Sequence, residues 1–164
     1  MTNLFWSLIL LSSLVACGDG FDKKANTGRT QESQEENTYS INQQYLQLVN
    51  EHRISMQLRP LTYQPIIEEI ALSHSKGMGL HVRPFGHMGF SVRCRRLRNR
   101  LGKVQLCGEI VAMGQKNIKD VFKAWMTSPK HREELENPRY THTGLGIYKD
   151  ELGLGYWTQM LIEL

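Results

Sequence analysis

Six histidines, three cysteines and a run of arginines hold most of the reactive chemistry in this 164-residue chain. The arginine run is the densest feature. Arg93, Arg95, Arg96, Arg98, Arg100 and Lys103 crowd one short stretch that contains no acid. Such a stretch is either the solvated face of a helix or a surface for an anionic partner. The histidines are scattered. His52 and His74 fall on apolar stripes and read as satisfied core histidines, while His81 and His142 carry no signal. No His-Glu-x-x-His zinc motif, phosphate-binding glycine loop, dinucleotide fingerprint or nucleophile elbow is present. Ser128 stands directly before Pro129, so it reads as a helix N-cap rather than a nucleophile. The formal net charge of +4 is too small to argue for a nucleic-acid partner.

The three cysteines divide by position. Leu4 to Ala16 is a charge-free run in which only Ser7, Ser12 and Ser13 are polar. At about 1.5 Å per residue it falls short of a bilayer core of roughly 30 Å. Its length is that of a signal-peptide apolar region. It ends in Leu14-Val15-Ala16-Cys17-Gly18, which resembles the bacterial lipoprotein processing box. There the chain is cleaved before the Cys, and the thiol receives a lipid. No Lys or Arg precedes the run, so an ordinary secretory signal with an incidental Cys is the competing reading. Gly18, rather than Asp, after Cys17 is more like an outer-membrane sorting signal. The segment that follows is rich in Asp, Lys, Asn, Gln, Glu and Ser and holds too little apolar area to offset ordering entropy. Residues 1–16 therefore read as a lipoprotein signal peptide, 17–39 as a flexible tether and 40–164 as one domain. With Cys17 lipidated, Cys94 and Cys107 remain. In an exported chain this pair reads as a disulfide, contributing roughly 3 kcal/mol through loop closure. Two separate buried thiols are the alternative.

Any chemistry in residues 40–164 must be positioned by the elements that the periodicity predicts. Apolar residues make up 40% of the chain, enough for one core. Ile41, Tyr45, Leu48, Val49, His52 and Met56 recur at helical spacing after Ser40, a candidate N-cap. Pro65 opens a second helix whose buried stripe is Ile66, Ile67, Ile70, Ala71, His74 and Met78. Phe90 to Leu101 is a short helix carrying the arginines. Val104 to Met113 is apolar and β-rich. Ile118, Val121, Phe122, Trp125 and Met126 form a third stripe, and Ser128-Pro129 starts a fourth helix. Thr143 to Lys149 and Gly155 to Ile162 are strands joined by Asp150-Glu151-Leu152-Gly153. The order predicts an α/β sandwich with helices on both faces of a small sheet. Trp125 and Trp157 read as core or cleft-wall aromatics.

Six segments together resemble one family. Leu48-Val49-Asn50-Glu51-His52-Arg53 with Pro60-Leu61 resembles the first-helix motif of bacterial CAP proteins, and Ala71-Leu72-Ser73-His74-Ser75 with Met78 resembles their second helix. Phe85-Gly86-His87-Met88-Gly89-Phe90 and Arg93 resemble the loop around a cleft histidine. Gly108-Glu109-Ile110-Val111-Ala112 resembles their Gly-Glu-Asn-Val-Ala strand. Trp125-Met126-Thr127-Ser128-Pro129-Lys130-His131-Arg132 resembles the junction bearing a second histidine. Gly144-Leu145-Gly146-Ile147 and Tyr156-Trp157-Thr158-Gln159-Met160 resemble the closing hairpin. The segments run in family order, and residues 41–164 are thereby identified as resembling the CAP superfamily of cysteine-rich secretory, antigen-five-like and pathogenesis-related proteins. The resemblance implies a CAP-type α-β-α sandwich with a small, mostly antiparallel sheet.

The same resemblance implies a cleft built from His87, Glu109 and His131, with Ser128 where animal and plant members carry a second acid. Two positions depart from the pattern. Ile110 replaces the usual Asn, and Glu133-Glu134-Leu135 replaces the usual Asn-Ile segment. His87, His131 and Glu109 would make a zinc-type ligand set of two imidazoles and a carboxylate. Alternatively, Glu109 hydrogen-bonds both imidazoles, raising their pKa values and lowering its own. A Ser128, His131, Glu109 triad fails because Ser128 suits a cap and no oxyanion-hole partner is evident. Two functions follow. One is an extracytoplasmic, lipid-anchored binding module for a lipid, glycan or peptide, at the outer membrane or cell surface. The other is a metal-assisted hydrolase of peptides or cell wall using the same cleft.

Overall fold

The computed structural model describes residues 27–164, with side chains from residue 41 onward. The segment expected to be a signal peptide, Cys17 and the first part of the expected tether lie outside the described residues. Five helices and four strands follow in the order α1 (Thr27–Ser55), β1 (Thr62–Tyr63), α2 (Pro65–Gly79), α3 (Phe90–Leu101), β2 (Leu106–Met113), α4 (Ile118–Thr127), α5 (Pro129–Glu136), β3 (His142–Lys149) and β4 (Gly155–Glu163). The sheet order is β1-β3-β4-β2. Only the short β1–β3 pair is parallel, while β3–β4 and β4–β2 are antiparallel. This is the mostly antiparallel sheet that the sequence predicts.

The strand β4 lies between two helical layers, so its side chains are buried on both faces. Period-two alternation divides them. Trp157 and Leu161 join Tyr45 and Val49 of α1, Val121 and Trp125 of α4, and Leu135 of α5. Met160 and Ile162 join Ile67, Ile70 and Ala71 of α2 and Leu97 of α3. Helices therefore cover both faces. The α2 layer approaches β3 closely. A Cβ at Gly144 or Gly146 would overlap the backbone of α2 at Ile67–Glu68 or Ala71–Leu72. The Gly-Leu-Gly-Ile segment thus puts hydrogen atoms toward α2 and Leu145 toward the opposite core.

Three expectations change. Helix α1 begins at Thr27, inside the segment read as tether, so Ser40 does not cap it. No proline interrupts Arg29 to Ser55, and polar helix formers can extend a helix already nucleated by packing at its other end. The buried face of α1 contains Tyr45, Val49 and Arg53, while Met56 is exposed. Met56 lies past the end of the helix, where Gln57 takes a positive φ of 61° and turns the chain. Strand β2 starts at Leu106 rather than Val104.

Arg53 shows how a charge can occupy a core position. Its side chain is fully buried. Its guanidinium donates to four carbonyls: Arg59 O at 2.9 Å, Leu135 O at 2.6 Å, Asn137 O at 3.1 Å and Tyr140 O at 3.4 Å. Burial lowers its pKa, and the carbonyl dipoles replace lost hydration. One side chain thereby ties α1 to the segment after α5.

Candidate functional site

Strand β2 presents Glu109 beneath helix α3 and the loop before it. Its carboxylate is 1% exposed. A buried carboxylate needs a cation and hydrogen bonds. Arg93 supplies both, its Nε donating to Oε2 at 2.5 Å and its Nη2 to Oε1 at 2.6 Å. This is a bidentate guanidinium–carboxylate pair, the strongest geometry available to these groups. The Arg93 side chain is itself 4% exposed, and its Nη1 donates to Met88 O at 2.8 Å. One guanidinium therefore holds both the carboxylate and the loop that bears His87.

His87 completes the cluster. Its Nδ1 lies 3.0 Å from Glu109 Oε1. The carboxylate already accepts from Arg93, so Nδ1 is the donor and Nε2 is left as the outward nitrogen. Half of the His87 side chain reaches solvent. On the inner side, His74 of α2 is buried, with Nε2 donating to Gly86 O at 2.8 Å and lying 3.9 Å from Glu109 Oε1. Burial first, and then Arg93, lowers the His74 pKa, so its ring is neutral. Its buried Nδ1 has no hydrogen-bond partner.

His131 stands near the start of α5, half-buried. Its pKa is lowered by burial and by nearby His87. The rise expected for His131 does not occur, because Glu109 does not bridge the two imidazoles. Among the described residues, no hydrogen bond or ion pair joins His131 to Glu109. The second imidazole beside Glu109 is His74, with Arg93 as the dominant partner. Ser128 occupies the N-cap position of α5, but its side chain makes no capping hydrogen bond. The departures have structural roles. Ile110 and Leu135 are core residues, and Glu134 accepts the Tyr140 hydroxyl at 2.5 Å.

A zinc ion does not fit this arrangement. Both Glu109 oxygens face a guanidinium, so a dication would meet a fixed positive charge at its ligand. Among the described residues, no group of three or more His, Cys, Asp or Glu is gathered to hold a metal. His52 pairs instead with Glu136 at 2.9 Å and packs edge-on to Phe122, linking α1 to α5 and α4. Cys94 and Cys107 form a disulfide. It joins α3, one residue from Arg93, to β2, two residues from Glu109.

In the sequence Arg93 belongs to a loop motif and to the arginine cluster, and nothing in the family resemblance pairs it with Glu109. A signal was available: Arg93 precedes Cys94 and lies four residues before Leu97, on the inward side of α3. An arginine there needs a buried acid, and Glu109 is the acid on the next strand.

The layered fold and the Arg93, Glu109 and His87 cluster are those of a CAP-type domain. The cysteine-rich secretory protein (CAP) family matches residues 46–161, and the chain belongs to that family. It is similar to the Bacillus subtilis uncharacterized protein YkwD, with 29% identity over 119 residues, covering 71% of this chain and 45% of that protein. It is also similar to the B. subtilis uncharacterized membrane protein YlbC, with 32% identity over 124 residues, covering 73% and 34%. The chain thus spans less than half the length of either relative. Among solved structures, an extracellular SCP-domain protein of Bacillus anthracis aligns with a TM-score of 0.66 and 26% identity, covering 77% of this chain and 41% of that one. An outer surface protein of Borrelia burgdorferi shares the fold, with a TM-score of 0.64 and 22% identity, covering 72% and 88%.

Proposed function

We propose that the protein is an extracytoplasmic, lipid-anchored binding module whose cleft around His87 takes a lipid, glycan or peptide. The observation that carries this reading is the bidentate Arg93–Glu109 pair. A carboxylate held by two guanidinium bonds is a fixed acceptor with its charge balanced. What faces a ligand is His87 Nε2, with the ring oriented through Nδ1, and the His131 imidazole nearby. Such nitrogens accept from or donate to hydroxyl and amide groups. The B. anthracis neighbour is an extracellular protein and the Borrelia neighbour an outer surface protein. These descriptions support export, as does the apolar run ending at Cys17. No helix among the described residues is long and apolar enough to cross a membrane.

Native mass spectrometry of the protein purified from its own host tests the ligand and the anchor together. The expected result is a diacylglycerol-type mass that disappears in Cys17→Ser, and a retained ligand that disappears in His87→Ala. No retained mass, together with an unchanged melting temperature across lipid, glycan and peptide panels, rules out the binding reading. The His87–Glu109 hydrogen bond favours one further reading. A carboxylate-oriented imidazole is the base half of a hydrolytic pair, and Nε2 would accept a proton from water without a metal. Arg93 weakens that reading by balancing the carboxylate charge. A peptidase or wall-hydrolase activity that survives His87→Ala eliminates it.

A further inference from the structure

Helix α3 has two faces. Its inner face holds Arg93 on Glu109, Cys94 in the disulfide and Leu97 in the core. The helix is therefore clamped at three successive inward positions. Its outer face presents Val92, Arg95, Arg96 and Asn99, all exposed and at three- and four-residue spacing, with exposed Lys103 just past the helix end. The helix contains no acid. Arg100, on the flank, is engaged by Glu69 at 2.9 Å. Among the described residues, Arg95, Arg96 and Lys103 make no ion pair.

The charge is accompanied by apolar exposure at the start of the helix. Val92 is 45% exposed and Met88, just before the N-cap Gly89, is 62% exposed. A soluble anionic polymer needs only the charges. A bilayer surface uses both, with cations on lipid phosphates and short apolar side chains at the headgroup boundary.

From this juxtaposition we propose that the outer face of α3, with Met88 and Val92 at its leading end, docks on an anionic phospholipid surface. The contact does not require acylation at Cys17. It would hold the domain against the membrane in one orientation, set by a rigid helix rather than by the chain before it.

The test uses the full chain carrying Cys17→Ser, which takes no acyl group, and phosphatidylglycerol or phosphatidylcholine vesicles. Binding to phosphatidylglycerol vesicles should exceed binding to phosphatidylcholine vesicles and should weaken steeply as salt is raised. Arg95→Gln, Arg96→Gln and Lys103→Gln together should lower that affinity about a hundredfold, near the sum of three surface cations at a charged membrane. Lys116→Gln, Lys119→Gln and Lys123→Gln, an equal charge change on and beside α4, should leave it unchanged. Met88→Ser with Val92→Ser should weaken vesicle binding but not binding to soluble polyphosphate. Equal binding to both vesicle types overturns the proposal. So does equal loss in the two triple variants, because then only net charge matters. Vesicle binding indifferent to Met88→Ser and Val92→Ser, with tight polyphosphate binding, assigns the face to an anionic polymer and also overturns it. A variant that melts below the parent is replaced by the Arg95→Gln, Arg96→Gln pair, for which about a tenfold or larger loss is required.

Discussion

Glu109 is held by Arg93 and His87, with His74 behind them, and the three contributions differ in kind. Arg93 balances its charge, His87 hydrogen-bonds it from the solvent side, and neutral His74 supports the loop from behind. Arg93→Met leaves a buried carboxylate without its cation. A loss of about 3–5 kcal/mol is expected in urea unfolding. Adding Glu109→Met should recover much of that loss, because an apolar pair of similar volume avoids the desolvation cost. Failure of the double variant to recover would show that the pair is needed for packing as well as for charge.

The pH dependence follows from His74, with His131 and His142 in the same direction. A base whose pKa is lowered by folding binds its proton more readily when unfolded. Stability is therefore complete above the ordinary imidazole pKa of about 6.5 and declines as pH falls below it. Glu68, raised by burial, acts in the opposite sense at lower pH. Thermal melts between pH 7.5 and 5.5 should show the decline. His74→Gln, which retains an amide donor for Gly86 O, should flatten it; an unchanged slope assigns the effect to the other histidines.

At the level of elements, the disulfide and the glycines of β3 set how the helices meet the sheet. Cys94→Ser with Cys107→Ser should cost roughly 3 kcal/mol by the loop-entropy argument. Because the bridge lies beside Arg93 and Glu109, nuclear magnetic resonance of the His87 ring should also change. A spectrum identical to the parent would confine the bridge to stability. Gly146→Ala must push α2 away from β3, since the added methyl meets backbone rather than a movable side chain. A cost above about 2 kcal/mol is expected, in the range of overpacked cores. Gly153→Ala meets no atom in space and tests only the positive φ of 78° in the hairpin turn.

For the whole molecule, Arg53 joins α1 through four carbonyls to Arg59 beyond its own end, to Leu135 of α5, and to Asn137 and Tyr140 between α5 and β3. Arg53→Lys keeps the charge but replaces a planar fork with a single ammonium that cannot reach all four. A loss of about 2–4 kcal/mol is expected from the carbonyls left buried without donors. If Arg53→Lys unfolds at the parent's urea midpoint, the fork is not what holds α1 to α5 and the chain after it.

Much of this arrangement is legible in order and spacing. The α2 and α3 boundaries, the closing hairpin and the two helical layers follow from periodicity, proline positions and turn residues, because those signals act over a few neighbours. The family follows from six short segments in order, and the resemblance singles out His87 and Glu109, which lie 3.0 Å apart. Membership therefore rests on local pattern alone. Three-dimensional packing decided which groups meet. Arg93 and Glu109 are 16 residues apart, and residue type alone does not separate Arg93 from the exposed Arg95 and Arg96 beside it. The same packing made His74, rather than His131, the second imidazole at Glu109 and buried Arg53 where an apolar stripe placed Met56. A side chain's partner is set by where helices and strands are brought together, and that information is distributed over the whole core rather than written at any one residue.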